Sequence, residues 1–257
     1  LIKKQSRVWF DLMQYKLEAL FILQKTQDLY LLTKQWIDNE SFPIPFQISV
    51  YIYYAKSVVG ETAEFEKKIY IDKAIKKLSL INDVYPNPIL LIQLANIQMR
   101  AGEFIEAFDS LQLLEIKYAK YPEPIFHLDL NGNLAHLSDK LSFKSSALSY
   151  WKKTLKWAFE YKNHQQIATV YYNFARSQVN SNLFTQAETN FNNAVTYALK
   201  ANDHSKLAQA KLYLTHLKIS QNLPQQAKSI FQTVEVKHLP STDLDELKKL
   251  QLFFKNL

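Results

Sequence analysis

The stretch VYYNFARSQVNSNLFTQAETNFNNAV (residues 170–195) decides the fold. Its first half sets Ala175 directly after an aromatic, Phe174, in a run of helical period. Asn180, Ser181 and Asn182 then interrupt the apolar pattern, as turn formers do. Twelve residues after Ala175 comes Ala187, with Phe191 and Ala194 following at helical spacing. Physically this is two helices joined by a tight turn. Small residues stand where the helices approach, and an aromatic fills the space beside them.

Outward from this stretch the same signals return every forty residues. Ala55, Ala95, Ala135, Ala175 and Thr215 form one series of small residues in first helices. Ala107, Ala147, Ala187 and Ala227 form the second-helix series, each followed four positions on by a large residue, Leu111, Trp151, Phe191 or Phe231. Lys67 stands where the earliest unit should have its alanine and breaks the series. A fixed period of this length is the signature of stacked helical units, none of which can bury its apolar face alone.

Turn chemistry supports the count. Ala101, Gly102 and Glu103, then Asn180, Ser181 and Asn182, then Gln221 and Asn222 separate apolar periodic runs. Prolines 43 and 45, 86 and 88, and 122 and 124 precede three first helices, where a missing N–H and a fixed φ cost least, and Pro224 opens a second helix. No alternating strand pattern exceeds a few residues. The reading is N-terminal helices over 1–42 as a degenerate unit or cap, five units over 43–236, and a C-terminal capping helix over 237–257. The last carries Leu244, Leu247, Leu250 and Phe254 on one face. Together these predict one continuous array, with the alternative that the last helix leads into another domain.

The segments LIQLANIQMRAGEFIEAFDSL (91–111), 170–195 as quoted, and LYLTHLKISQNLPQQAKSIF (212–231) resemble tetratricopeptide repeats. The resemblance covers about Pro45 to Val236 and implies an all-α, right-handed superhelical solenoid. It departs from the family in its forty-residue period, where 34 is usual, and in lacking the closing proline at most junctions. HEAT repeats, which share the longer period, are the alternative.

Composition narrows the function. With 3 Gly in 257 residues, nucleotide-binding α/β folds and their phosphate loops are disfavoured. The net charge is +7, but 28 of the 31 basic residues are scattered lysines and only Arg7, Arg100 and Arg176 are arginines. Nucleic-acid readers concentrate arginine, so direct nucleic-acid binding is not expected. No Cys is present, which removes disulfides and thiolate chemistry. No apolar run approaches a membrane span. The chain begins at Leu1, so it reads as a piece of a longer product, and any signal peptide, anchor or further domain would lie upstream.

The family resemblance implies that partners bind along the concave face formed by first helices. The residue after each small packing residue points away from the second helix. That series is Lys56, Asn96, His136, Arg176 and His216, all polar and none acidic. Two positions before the packing residue come Tyr53, Gln93, Asn133, Asn173 and Tyr213, with Tyr172 and Arg100 on neighbouring faces. Asn and Gln can pair with both groups of an extended backbone, while Arg, Lys and protonated His suit a carboxylate. The candidate groove is therefore Lys56, Asn96, Arg100, Asn133, His136, Tyr172, Asn173, Arg176 and His216. The plain alternative is an ordinary solvated helix face.

No catalytic or metal constellation is expected, nor any cofactor. The six histidines make no i, i+3 or i+4 pair with one another. Asp129 and Asp139 flank His136, but without an activated nucleophile such a group reads as a surface cluster. The expectation is a non-catalytic module binding a peptide or protein segment. Forty-residue repeats look like the sensory regions of some membrane-bound diguanylate cyclases and histidine kinases, which would place the chain in a bacterial periplasm. They are also similar to the ligand-binding part of cytoplasmic receptors for secreted signalling peptides. A plain assembly scaffold is the third reading, and a homodimer stays open.

Overall fold

The computed structural model describes the backbone of residues 5–60, 62–84 and 88–255, and within these the side chains of all but 22, 64, 79, 81–84, 90, 97, 100 and 101. Thirteen α-helices and two short 3-10 turns make up the described secondary structure, with no strand among the described residues. The packing gathers the chain into two compact units, Leu1–Tyr118 and Ala119–Leu257.

The first unit holds α1 (Arg7–Ile22), α2 (Thr26–Lys34), α3 (Ile44–Ser57), α4 (Ala63–Val84), α5 (Pro88–Ala101) and α6 (Phe104–Lys117). Its core gathers Leu17, Leu29, Phe42, Phe46, Tyr51 and Leu78, with Trp9, Phe10 and Trp36 packed against it. Trp9 sits edge-on to Trp36 and Phe46 at 5.6 and 6.0 Å. Such pairs add to what the area itself contributes.

The second unit holds α7 (Pro124–Lys140), α8 (Lys144–Tyr161), α9 (His164–Asn180), α10 (Phe184–Lys200), α11 (His204–Ser220), α12 (Pro224–Phe231) and α13 (Leu244–Lys255), with 3-10 turns at Val236–His238 and Ser241–Asp243. Helices pack on their neighbours in sequence, and α7–α8, α9–α10 and α11–α12 form the pairs.

Every member of the two small-residue series is buried, from Ala55 to Thr215 in the first helices and from Ala107 to Ala227 in the second. Thr215 is tolerated among alanines because its hydroxyl donates to the Lys211 carbonyl at 2.9 Å, so no polar group is stranded. The break at Lys67 has a physical reason. A five-residue connection, residues 58–62, replaces the usual tight turn, and α4 presents Ala74 to the core instead. Seven residues are close to two helical turns, so Ala74 lies on nearly the same face as Lys67, displaced along the axis.

The turns repeat as faithfully as the helices. Gly102, Ser142, Asn182 and Asn222, forty apart, all take the left-handed conformation, with φ of 86, 62, 61 and 58°. After each, the next amide donates to the carbonyl five residues back: Glu103 to Gln98, Phe143 to Ser138, Leu183 to Gln178 and Leu223 to Lys218, at 2.8 to 3.0 Å. This is the Schellman ending, which satisfies orphan carbonyls and reverses the chain, and Gly or Asn adopts it at least cost. Asn163 and Asp203 cap the next first helices, their side chains accepting from the amides of Gln166 and Lys206.

Candidate ligand-binding faces

Each unit carries its own share of the residues expected to bind. In the first, Lys56 of α3 and Asn96 of α5 line a cleft of about 160 Å3 with Gln14, Ser49, Ile52, Tyr53 and Gln93. The Lys56 ammonium stands 4.2 Å from the Phe21 ring centre and 4.5 Å from that of Tyr53, a double cation–π contact. Tyr53 is thus the half-exposed member of its cluster, while Tyr51 and Tyr54 turn into the core. Arg100 lies outside the residues whose side chains are described.

In the second unit, α7, α9 and α11 present the series. Asn133 and Asn173 are half-buried and make no hydrogen bond among the described residues. Arg176 is exposed, and its guanidinium lies 5.7 Å from the Tyr172 ring centre and 5.0 Å from that of Tyr213. No hydrogen bond or ion pair engages it among the described residues. Arg176 is therefore positioned by two rings while its N–H groups stay available.

One expectation needs correction. Tyr172 is only 3% exposed, so its ring cannot offer a face to a ligand. It is packed edge-on against Tyr213 at 5.5 Å and Phe191 at 6.2 Å, and its part is to hold Arg176. Burial pushes its phenol well above the ordinary tyrosine range. His216 is half-covered by the C-terminal helix: its Nε2 lies 3.4 Å from Glu246 Oε2 of α13. The face of α11 that carries His216 thus meets an acid of the chain itself, in α13.

His136 keeps a solvent-open edge, yet it sits edge-on to Trp151 at 4.7 Å. The flanking acids do not build a catalytic pair with it. Asp139 accepts from Trp151 Nε1 at 2.9 Å on one oxygen and from Ser177 Oγ at 2.7 Å on the other, tying α7, α8 and α9 together. Asp129 is exposed, and partial loss of solvation alone raises its carboxyl above the ordinary range.

Desolvation lowers the pKa of both His136 and His216. At His136 the charge of Asp139 opposes this and that of Arg176 adds to it, and at His216 Glu246 opposes it. The sign for stability follows. As the pH falls below the ordinary histidine value of 6.5, the unfolded chain takes up these protons before the folded one does, so stability is lost. The melting temperature is expected to drop between pH 7 and 5, and His136→Asn with His216→Asn should flatten the decline. An unchanged slope in that double variant would assign the loss to other groups.

Sequence reasoning missed two residues on this face. Lys206, one turn into α11, holds its ammonium 4.5 Å from the Tyr172 ring centre and donates to Gln209 Oε1 at 2.8 Å. Asp243, 5% exposed in the turn before α13, accepts from Gln209 Nε2 at 2.6 Å and from the Tyr213 hydroxyl at 3.3 Å. The signal for Asp243 was long-range, since nothing in a forty-residue period marks a residue outside the array.

No family model and no curated protein sequence matches the chain. Solved structures do. A Rap protein complexed with Competence and Sporulation Factor aligns with a TM-score of 0.70 at 14% identity, over 98% of this chain and 70% of that one. Aspartyl phosphate phosphatase F from Bacillus subtilis gives 0.65 at 14% identity, over 99% and 74%. A signal transduction ATPase from Pyrococcus horikoshii with a tetratricopeptide repeat sensor gives 0.63 at 15% identity, over 83% and 33%. At these identities the likeness is one of fold: each unit is built of tetratricopeptide-like helix pairs.

Proposed function

We propose that the chain is a non-catalytic recognition module that binds a peptide or protein segment on the first-helix faces of its units, as the sensory or regulatory part of a larger bacterial signalling protein. The observation that carries this reading is Arg176. A guanidinium held between two tyrosine rings, with Asn173 one turn before it and no partner for its N–H groups among the described residues, is arranged for an external acceptor. The side chains of Asn133 and Asn173, without a hydrogen bond among the described residues, supply the donor and acceptor pairs that an extended backbone needs. A second reading, the ligand-binding part of a cytoplasmic peptide receptor, draws support from the Rap neighbour, solved with a bound factor and aligned over nearly the whole of this chain.

The test is mass spectrometry of what co-purifies with the protein, beside the Asn173→Ala, Arg176→Ala double variant. A short segment held by the first and lost from the second is expected. For a ligand so identified, Arg176→Ala should weaken binding by about 1.5–3 kcal/mol, the range for a hydrogen bond to a charged group, and salt should weaken it further. Equal affinity for protein and double variant would remove this face from the binding site.

A further inference from the structure

Two cations share one buried ring in the second unit. Lys206 Nζ and Arg176 Cζ lie 4.5 and 5.7 Å from the centre of Tyr172. Asp203 and Asp243 favour the Lys206 charge from a distance and Arg176 opposes it less strongly, but neither cation has a carboxylate oxygen within 4.0 Å among the described residues. The oxygens of the nearby acids accept from other donors. Asp243 is held by Gln209 and Tyr213, Asp203 caps the helix through the Lys206 amide, and Asp139 is held by Trp151 and Ser177.

The donors, in contrast, are unspent. None of the five guanidinium N–H groups of Arg176 has a hydrogen-bond partner among the described residues, and Lys206 has given one of its three to Gln209. Gln209 is itself oriented, because its amide nitrogen is committed to Asp243 and so turns its oxygen toward Lys206. The half-buried ammonium is therefore fixed, and crowding by protein pulls its pKa below the ordinary lysine range. The repeat equivalents of Lys206 are Phe126 and Gln166, so the cation pair occurs only where α9 meets α11.

We propose that Arg176 and Lys206 together form a pocket for a doubly charged oxyanion, the chemistry shared by a phosphate monoester and by two adjacent carboxylates. This rests on the reading that the Arg176 face binds a ligand, and adds to it the charge of the group bound and the residue that selects it. One cation suits a single carboxylate; two around one ring, with no ion-pair partner among the described residues, favour a dianion.

The test follows the Arg176 Nε–Hε resonance by NMR while inorganic phosphate or succinate is added at constant ionic strength, with chloride as control. A saturable shift with phosphate, succinate or both is expected, and none with chloride. Phosphate alone would identify a tetrahedral group, succinate alone paired carboxylates. Lys206→Gln should weaken the saturable binding by about tenfold or more, and Lys206→Arg, which keeps the charge, should restore most of it. Melting curves check that each variant folds. Should Lys206→Gln not fold, Arg176→Gln carries the test instead, read from the backbone amide resonances of α9 and α11, since its guanidinium makes no hydrogen bond among the described residues.

No saturation by either anion, or equal affinity in Lys206→Gln, overturns the pocket. A co-purifying segment lost from the Asn173, Arg176 double variant but retained by Lys206→Gln would overturn the pocket alone and leave the recognition reading standing. Saturable phosphate binding with no co-purifying segment would uphold the pocket and count against that reading.

Discussion

Trp151→Ala is expected to cost the second unit about 3–5 kcal/mol, the range for removing a large buried aromatic. Trp151 is 2% exposed and belongs to the forty-residue series of large residues that follow the second-helix alanines. Its ring packs against His136 of α7, and its N–H reaches Asp139, which in turn holds the buried Ser177 of α9. Truncation therefore opens a cavity and also takes a donor from a carboxylate that bridges three helices. Trp151→Phe separates the two losses: it keeps most of the packing and removes the N–H, for about 1–2 kcal/mol. Urea unfolding followed by circular dichroism measures both. A cost below about 1 kcal/mol for the alanine variant would mean that α7 and α8 close over the gap without strain.

Removing α13 by ending the chain before Ser241 is the other large effect. Leu247 and Leu250 are buried against Leu212, and burial of each such side chain contributes about 1.5–3 kcal/mol. The same cut strips Gln209 and Tyr213 of the Asp243 acceptor and uncovers His216. A loss of about 3 kcal/mol or more is expected in urea unfolding, with self-association visible by light scattering, because an unsealed end of a helical stack presents an apolar face. A truncated chain that stays monodisperse and as stable as the full one would show that α13 does not seal the unit.

The helix pairs were legible because their signals are local. An alanine at a helix crossing, a small or polar residue at a left-handed turn and a proline near a helix start each act within a few residues, and the first two recur at one spacing. Lys67 breaks the series, and only the packing reveals that Ala74, about two turns on in α4, is buried in the core of the first unit. The binding face was legible to the depth of one helix. Periodicity showed that Arg176 and His216 share a side, but not how far the neighbouring helix encroaches. Thus Tyr172, one turn before Arg176, is roofed by Tyr213 and Phe191, and His216 meets Glu246. Lys206 escaped notice for the same reason, since its partner ring belongs to the preceding pair.

The forty-residue turns also govern how the chain reaches this structure. Each pair closes through a connection of two or three residues, apart from the lengthened α3–α4 link, so a second helix finds its partner immediately upstream. Contacts of short sequence separation carry little loop-closure cost and form early, which is why such topologies fold quickly and from the N-terminus during synthesis. Once Tyr161 has left the ribosome, everything that the α7–α8 pair needs in order to close is already outside.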